Sequence, residues 1–429
     1  MLIQFEVDNF NSIKDTVTFN MQSTLEENNH SFKKFNYNLL QTAVIYGANA
    51  SGKSNLLKAM NQMTSLVLNR DGVNQSTSKI EHQPFLLNSE TQDASTSFEI
   101  IFIVEEIVFR YGFEYDSETI YSEWLFSSGK VKRESKLFFR DIEDDEFYVN
   151  STKFKEGRGL EKKTLPNHLF LWKCDSENGE IAKKIMHWFS NFNIIDGIDN
   201  RGYLNYTNNK LKDKSFKEDI LNLVKVADLG ISDITTHEEK MSSDVFEEMN
   251  IPANIKESIL RDGGLSRFDT LTQHKKFDKQ NNFIGNIEFD LNENESLGTQ
   301  KFFAMSAPII DTLKYGKVLI IDELDASLHP ILTMHLIKMF HNKEINKHNA
   351  QLIFATHDTN LLQSDLLYRD QIYFTEKNKY GATDLYSLLE YKEISTRKDT
   401  NKEKYYLQGR YGAIPFIGEF NFKDTQNES

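Results

Sequence analysis

The sequence predicts a mixed α/β fold, and three observations carry that prediction. "TAVIYGANASGKSNLLKAM" (42–60) reads as an apolar strand, a glycine-bounded loop and a helix. "GKVLIIDEL" (316–324) and "AQLIFATHD" (350–358) are continuous apolar runs, of the kind that forms parallel strands buried on both faces. Between the first and the other two, residues 97–149 alternate in the period-2 manner of an antiparallel meander.

Taken in order, residues 2–8 and 16–21 alternate like two short strands around "NFNSIKD". The meander follows in "SFEIIFIVEEIVFRYGFEYD", "TIYSEWLFSS" and "KLFFRDIEDDEFYVN", with turns at "SSGK" and "DD". The stretch 165–262 reads mostly as helix, in "GEIAKKIMHWFSNF", "SFKEDILNLVKVA" and "NIKESILRDGG". "NFIGNIEFDL" is a strand, "TQKFFAMSAPIIDTLKYG" and "PILTMHLIKMFHN" are helices, and "DQIYFTEK" and "TDLYSLLEY" are late strands. The tail from 422 is polar. No internal repeat and no low-complexity segment interrupts this order.

Composition limits the function classes. With 429 residues, 39% hydrophobic and 27% charged, the chain is that of an ordinary globular protein with room for one large domain carrying insertions, or for two to three small ones. A net charge of −14 and a pI near 5.4 argue against a dominant, sequence-independent affinity for DNA, while leaving room for a local basic groove. The single cysteine, Cys174, excludes an intramolecular disulfide framework and suits a reducing cytosol. "MLIQFEVDNFNSIKD" lacks the build of a signal peptide, and no apolar run reaches the roughly 18–20 residues of a membrane helix. The expectation is a cytoplasmic protein without a membrane partner.

The residues that carry chemistry stand at four places. "GANASGKS", Gly47 to Ser54 (Gly47, Ala48, Asn49, Ala50, Ser51, Gly52, Lys53, Ser54), fits G-x-x-x-x-G-K-[ST] in full, with Asn55 opening the helix behind it. Its glycines let backbone N–H groups curl round phosphate oxygens, Lys53 reaches the β- and γ-phosphates, and the Ser54 hydroxyl takes a Mg²⁺ position. A chance glycine-rich turn is the competing reading, and the strand and helix flanks oppose it. In "VLIIDELD", Asp322 ends a buried strand where a carboxylate can hold Mg²⁺ through water, and Glu323 can orient the attacking water. In "FATHDTNLL", His357 follows a buried strand and can sense a γ-phosphate. In "ESLGTQKFF", Ser296 and Gly298 open a helix. A plain N-cap is the simplest account of such a serine. Because the P-loop already serves this chain's own triphosphate, a second anion-binding helix start is useful only toward a nucleotide held by another subunit.

That order of motifs resembles the SMC/RecF/OLD-like branch of ABC ATPases. More particularly, "FEIIFIVEEIVFRYGFEYD", "ESLGTQKFFAMSAPIIDTLKYGKVLIIDELDASLHP", "QLIFATHDTNLL" and "YLQGRYGAIPFIG" resemble the RloA/AbiL-type bacterial defence ATPases, relatives of the AriA subunit of PARIS. The resemblance implies an ABC-type P-loop head with an antiparallel β lobe and a helical insertion. It makes Ser296 and Gly298 the signature motif and "LDASLH", Leu324 to His329, the D-loop. Two departures stand out: Asn11 occupies the place of an arginine in many relatives, and Leu297 that of a signature glycine. Gln83 is the best candidate for the glutamine loop, although an ordinary surface glutamine accounts for it as well. Lys130, Lys132, Arg133 and Lys136, then Lys153, Lys155, Arg158, Lys162 and Lys163, and the lysines of "LTQHKKFDKQ" form basic patches that read better as solvated charge than as phosphate contacts. "RYGAIPF" is a turn flanked by aromatics that packs on the head.

The expectation is thus a head from 1–70 and 285–429, a β lobe at 71–150 and a mainly helical insertion at 151–284. The resemblance implies ATP and Mg²⁺ as cofactors, a homodimer or higher homo-oligomer with composite sites, and a separate effector such as a nuclease or toxin, for instance of TOPRIM type. Glu323, His357 and Lys53 would be the catalytic groups, in a regulatory ATPase of bacterial anti-phage defence. A RecF-like DNA-repair ATPase and a nucleotide-gated scaffold with little hydrolysis are the alternatives. Nucleic acid is left open as a partner.

Overall fold

The computed structural model describes residues 1–129, 133–197, 201–240, 266–363, 365–391 and 401–415, and it divides into two compact units. The first unit joins residues 2–190 to those from 355 onward. Its larger sheet has seven antiparallel strands. β1 (Leu2–Asp8) and β2 (Val17–Asn20) come from the N-terminus, and the meander supplies the strands later in the chain. Two further pieces precede that meander: a small hairpin of β3 (Ser31–Lys34) and β4 (Tyr37–Leu40), then β5 (Thr42–Tyr46), every residue of which is buried. α1 (Lys53–Val67) follows the P-loop.

The meander is β6 (Thr96–Val104), β7 (Ile107–Tyr115), β8 (Ile120–Ser128), β9 (Ser135–Asp141) and β10 (Glu146–Val149). The strand order is β10-β9-β8-β7-β6-β1-β2, so β1 joins β2 to a meander whose first strand lies some ninety residues on. Alternating burial along β6 matches its alternating sequence. Late in the chain, β17 (Ile372–Lys377) runs parallel to β5 and pairs antiparallel with β18 (Thr383–Ser387).

Two helices, α2 (Phe170–Ser176) and α3 (Glu180–Ser190), pack in this unit. Glu123 of β8 anchors α2: its carboxylate accepts from Phe170 N at 2.6 Å and Leu171 N at 3.1 Å, from Tyr111 Oη at 3.0 Å, and faces Arg140 at 3.0 Å. Burial pushes the Glu123 carboxyl above the usual range, against the pull of Arg140 and these donors. Trp188 of α3 stacks on Phe102, with centroids 4.2 Å apart.

The second unit spans 191–354. β11 (Phe192–Asp196), β15 (Val318–Asp322) and β16 (Gln351–Ala355) are parallel, in that order. β12 (Ile231–Lys240), β13 (Ser266–Phe277) and β14 (Phe283–Asp290) form a separate antiparallel sheet. Among its described residues the longer helices are α4 (Arg201–Lys210), α5 (Lys214–Val226), α6 (Leu297–Tyr315) and α7 (Pro330–His341). Almost all of α6 is buried from Thr299 to Leu313, although its hydrophobic residues do not follow a single stripe, as befits a helix packed on several sides.

Pro308 lies inside α6 and has no N–H to give the carbonyl of Ala304 four residues back. The buried Thr207 hydroxyl of α4 supplies that donor, at 2.6 Å.

The helical reading of 165–262 therefore holds for α2 to α5 and omits β11 and β12. The expected helix "NIKESILRDGG" and the polar tail lie outside the described residues, as do Lys130 and Lys132 of the first basic patch. Lys136 of that patch faces Glu146 at 3.7 Å and lies over Phe139, and Lys153 of the second patch donates to Ser135. "LTQHKKFDKQ" belongs largely to β13.

Candidate nucleotide site

In the first unit the P-loop connects β5 to α1, and its shape follows from two close approaches. A Cβ on Gly47 would lie 2.6 Å from Thr375 O, and one on Gly52, at φ +110°, would run into the Thr383 side chain. Thr375 and Thr383 belong to β17 and β18, which brace the loop. Ser51 Oγ and Thr375 Oγ1 are 2.7 Å apart, and Thr383 Oγ1 donates to Ser51 O at 2.9 Å. Asn49 and Ala50 form the exposed crest, with Ala50 at φ +63°, a left-handed conformation that a residue with a Cβ adopts at some cost.

Lys53 is buried and folds back over the loop, donating to Gly47 O at 2.8 Å and Ala48 O at 3.2 Å. Ser54 is half-buried, and Asn55 Nδ2 donates to Ser12 Oγ at 2.6 Å. No side chain caps α1, and no acidic residue stands in its first turn. Its first N–H groups and its positive dipole end are therefore offered to an anion.

Asn11, at φ +51°, is tied to Gln83: its N donates to Gln83 O at 2.8 Å and its Nδ2 to Gln83 Oε1 at 3.1 Å. The two residues that depart from or complete the expected motifs thus pair with each other. Beyond β16, Thr356 N donates to Ile45 O at 3.3 Å, and the Thr356 hydroxyl accepts from Asp358 N at 3.0 Å. That turn leaves the His357 ring exposed.

In the second unit Ser296 is the N-cap of α6, accepting from Thr299 N at 3.1 Å. Gly298 packs so tightly that a Cβ would stand 2.7 Å from Ser327 O in the D-loop, while Leu297 is 72% exposed. At the end of β15, Gly197 N donates to Asp322 O at 2.8 Å, and a Cβ on Gly197 would collide with the carbonyls of both Asp322 and Glu323. Glu323 itself has φ +50°. His329 then accepts from Ile331 N to cap α7, with Pro330 at its first position.

Residues 43–363 match the family described as "AAA domain, putative AbiEii toxin, Type IV TA system". The chain belongs to that family. No curated protein matches it. Among solved structures, the SMC head domain from Thermotoga maritima aligns with a TM-score of 0.41 and 12% identity, over 90% of this chain and 98% of that one. The recombination mediator RecF aligns with a TM-score of 0.30: at 13% identity over 90% and 98% with ATPrS, and at 14% identity over 90% and 97% with ATP.

For this AAA-domain protein the residues present suit ATP and Mg²⁺. The start of α1 has no side-chain cap, and the Lys53 ammonium rests on carbonyls of the loop in front of it. The Asp322 Oδ1 atom is buried without a hydrogen-bond partner. Such an oxygen is costly unless a cation or a bound water meets it. Among the described residues no group of three or more His, Cys, Asp or Glu side chains is placed to hold a metal. Mg²⁺ does not need one, since it commonly takes one or two protein ligands plus phosphate oxygens.

Sequence reasoning missed Lys301 and Gly197, which hold the turn after β15 in the second unit, and Thr383, which braces the P-loop in the first. Lys301, buried in α6, donates to Glu323 O at 3.0 Å, Leu324 O at 3.4 Å and Ala326 O at 2.6 Å. A lone lysine in "TQKFFAM" was the available signal, because a buried ammonium has to find acceptors. Gly197 and Thr383 gave no signal of their own.

Proposed function

We propose that this protein is a regulatory ATPase of bacterial anti-phage defence that binds and hydrolyses ATP with Mg²⁺. In this reading it pairs through composite sites and controls a separate effector protein, a nuclease or toxin, in the cytoplasm. The observation that carries the nucleotide part is the uncapped start of α1 beneath a buried lysine, Lys53, that rests on the loop's own carbonyls. The head would comprise 1–70 and 285–429, with 71–150 and 151–284 as lobes.

In this reading the loop amides from Gly47 to Asn55 and the Lys53 ammonium hold the phosphates. Ser54 and Asp322 would hold Mg²⁺, which would draw charge off the phosphate oxygens. Glu323 orients and deprotonates the attacking water, and His357 donates a hydrogen bond to the terminal phosphate. Ser296 and the Gly298 amide stabilise charge on the nucleotide of a second copy. Family membership, the motif order and the buried, unpartnered Asp322 oxygen support it.

The test is phosphate release by the purified chain with and without DNA. ATP turnover that ignores DNA supports the regulatory reading; turnover that depends on DNA favours the RecF-like alternative. Tight binding without turnover would leave a nucleotide-gated scaffold.

A further inference from the structure

Beside the P-loop the first unit displays three large apolar side chains that its core does not use. Leu86 is 69% exposed, Leu87 70% and Tyr380 68%. They come from two loops far apart in sequence, and both loops are pinned. The Leu86–Leu87 loop hangs on Asn9, itself 2% exposed. The Asn9 Oδ1 atom accepts from Phe85 N at 2.9 Å, and its Nδ2 donates to Thr91 O at 2.9 Å and to Ala94 O and Ser95 O at 3.0 Å. Tyr380 sits on the β17–β18 turn, where Asn378 Oδ1 accepts from Tyr380 N at 2.9 Å and Ala382 N at 3.1 Å.

The two loops meet. A Cβ on Gly381, at φ +80°, would stand 2.5 Å from Leu87 Cδ1. The β17–β18 side is also wired to the phosphate loop. Thr383 N donates to Ser12 O at 2.7 Å, the Ser12 and Thr383 hydroxyls are 2.7 Å apart, and Thr383 donates to Ser51 O. Asn55, in the first turn of α1, reaches the same Ser12. The exposure of Leu86, Leu87 and Tyr380 is therefore not that of slack loops. Anchored apolar groups kept in water beside a polar site serve a ligand with an apolar part.

We propose that Leu87 and Tyr380, with Leu86 at their margin, form the shelf on which the base of the bound nucleotide lies. This rests on the reading of the P-loop as a phosphate site. A nucleoside triphosphate is a polyanion joined to a flat π-system, and the chain presents the two matching surfaces side by side. The Lys379 ammonium lies 4.9 Å from the Tyr380 ring centroid, so the shelf also carries a cation. Stacking of this kind is tolerant of base identity. The shelf therefore favours nucleotides over bare polyphosphate more than it favours adenine over guanine.

The test compares ATP with inorganic tripolyphosphate, which has the charge and no base, by calorimetric titration of the full chain. Tyr380→Ala and Leu87→Ser should each weaken ATP binding on the order of tenfold while tripolyphosphate binds as to the unaltered protein. Tyr380→Phe should keep ATP affinity, because it keeps the ring. Unchanged ATP affinity in both first variants, or an equal loss for ATP and tripolyphosphate, overturns the shelf. So does a loss of self-association with ATP affinity intact, which would make the patch an interface between copies. If the unaltered protein binds neither ligand, the phosphate site falls and the shelf with it. If it binds both and the variants match it, the shelf alone falls.

Discussion

The ammonium of Lys301 donates to the carbonyl oxygen of Glu323 at 3.0 Å, and so joins the helix that begins at Ser296 to the turn that carries the candidate water-activating carboxylate. The same nitrogen holds Leu324 O and Ala326 O. Glu323 sits at φ +50°, a conformation its own backbone does not favour, and Lys301 and Gly197 hold the carbonyls on either side of it.

Lys301→Met should therefore lower stability by about 3 kcal/mol, since buried carbonyls lose a charged donor. Urea unfolding measures that loss. ATP hydrolysis should fall further than stability alone explains, with ATP binding kept. Unchanged unfolding and turnover would show that the loop holds itself.

Lys53→Ala should abolish tight ATP binding, because no other cation in the loop replaces the one resting on Gly47 O and Ala48 O. Titration with ATP gives the answer. Retained affinity and turnover would remove the loop from the mechanism.

Glu323→Gln should keep ATP binding, since Asp322 and Ser54 are untouched, and should slow hydrolysis strongly. An ATP-loaded dimer or larger assembly should accumulate, visible by light scattering. Normal turnover would shift attention to His357.

If Ser296 and Gly298 face a second copy's nucleotide, as proposed, Ser296→Arg should block hydrolysis and leave ATP binding intact, because bulk and charge at the start of α6 would prevent closure. Mixing it with Lys53→Ala should restore part of the activity, since one composite site of the mixed pair is then whole. Ser296 also caps α6, so the comparison is with Ser296→Ala, which should cost about 1 kcal/mol of stability as a lost cap. Full activity of Ser296→Arg alone would leave only the cap.

Arg140→Met should cost about 3–5 kcal/mol, because it strands the buried Glu123 carboxylate that organises α2. Thermal or urea unfolding of the two chains side by side decides it. A variant as stable as the parent would mean that Glu123 takes up a proton without strain.

Which parts were legible follows from the range of the forces involved. β5, the P-loop and α1 announce themselves because strand, glycine turn and helix are adjacent in the chain. The meander is legible because each strand pairs with the next, so alternation and turn signals agree. β11 escaped: "FNIID" is five residues, and its parallel partner β15 lies more than a hundred residues away. β12 and β13 escaped because threonines and charges fill them, as suits strands with a solvated face and defeats an apolar count. The strand end at Asp322 and the helix start at Ser296 were legible locally, whereas Lys301, Gly197 and Thr383 act on backbone atoms that only the tertiary fold brings to them.

Pro308 and Thr207 tie α6 to an earlier part of the chain. The carbonyl of Ala304 receives no bond from the Pro308 nitrogen four residues on, and its side-chain donor lies 97 residues upstream. Translation delivers Thr207 first, so α4 has been made before the helix it completes. A C-terminal fragment that begins beyond α4 would carry the whole of "ESLGTQKFF" and still leave that helix open in its middle. The segment that presents Ser296 is in this sense a two-piece part, finished only when an earlier stretch of the chain closes on it.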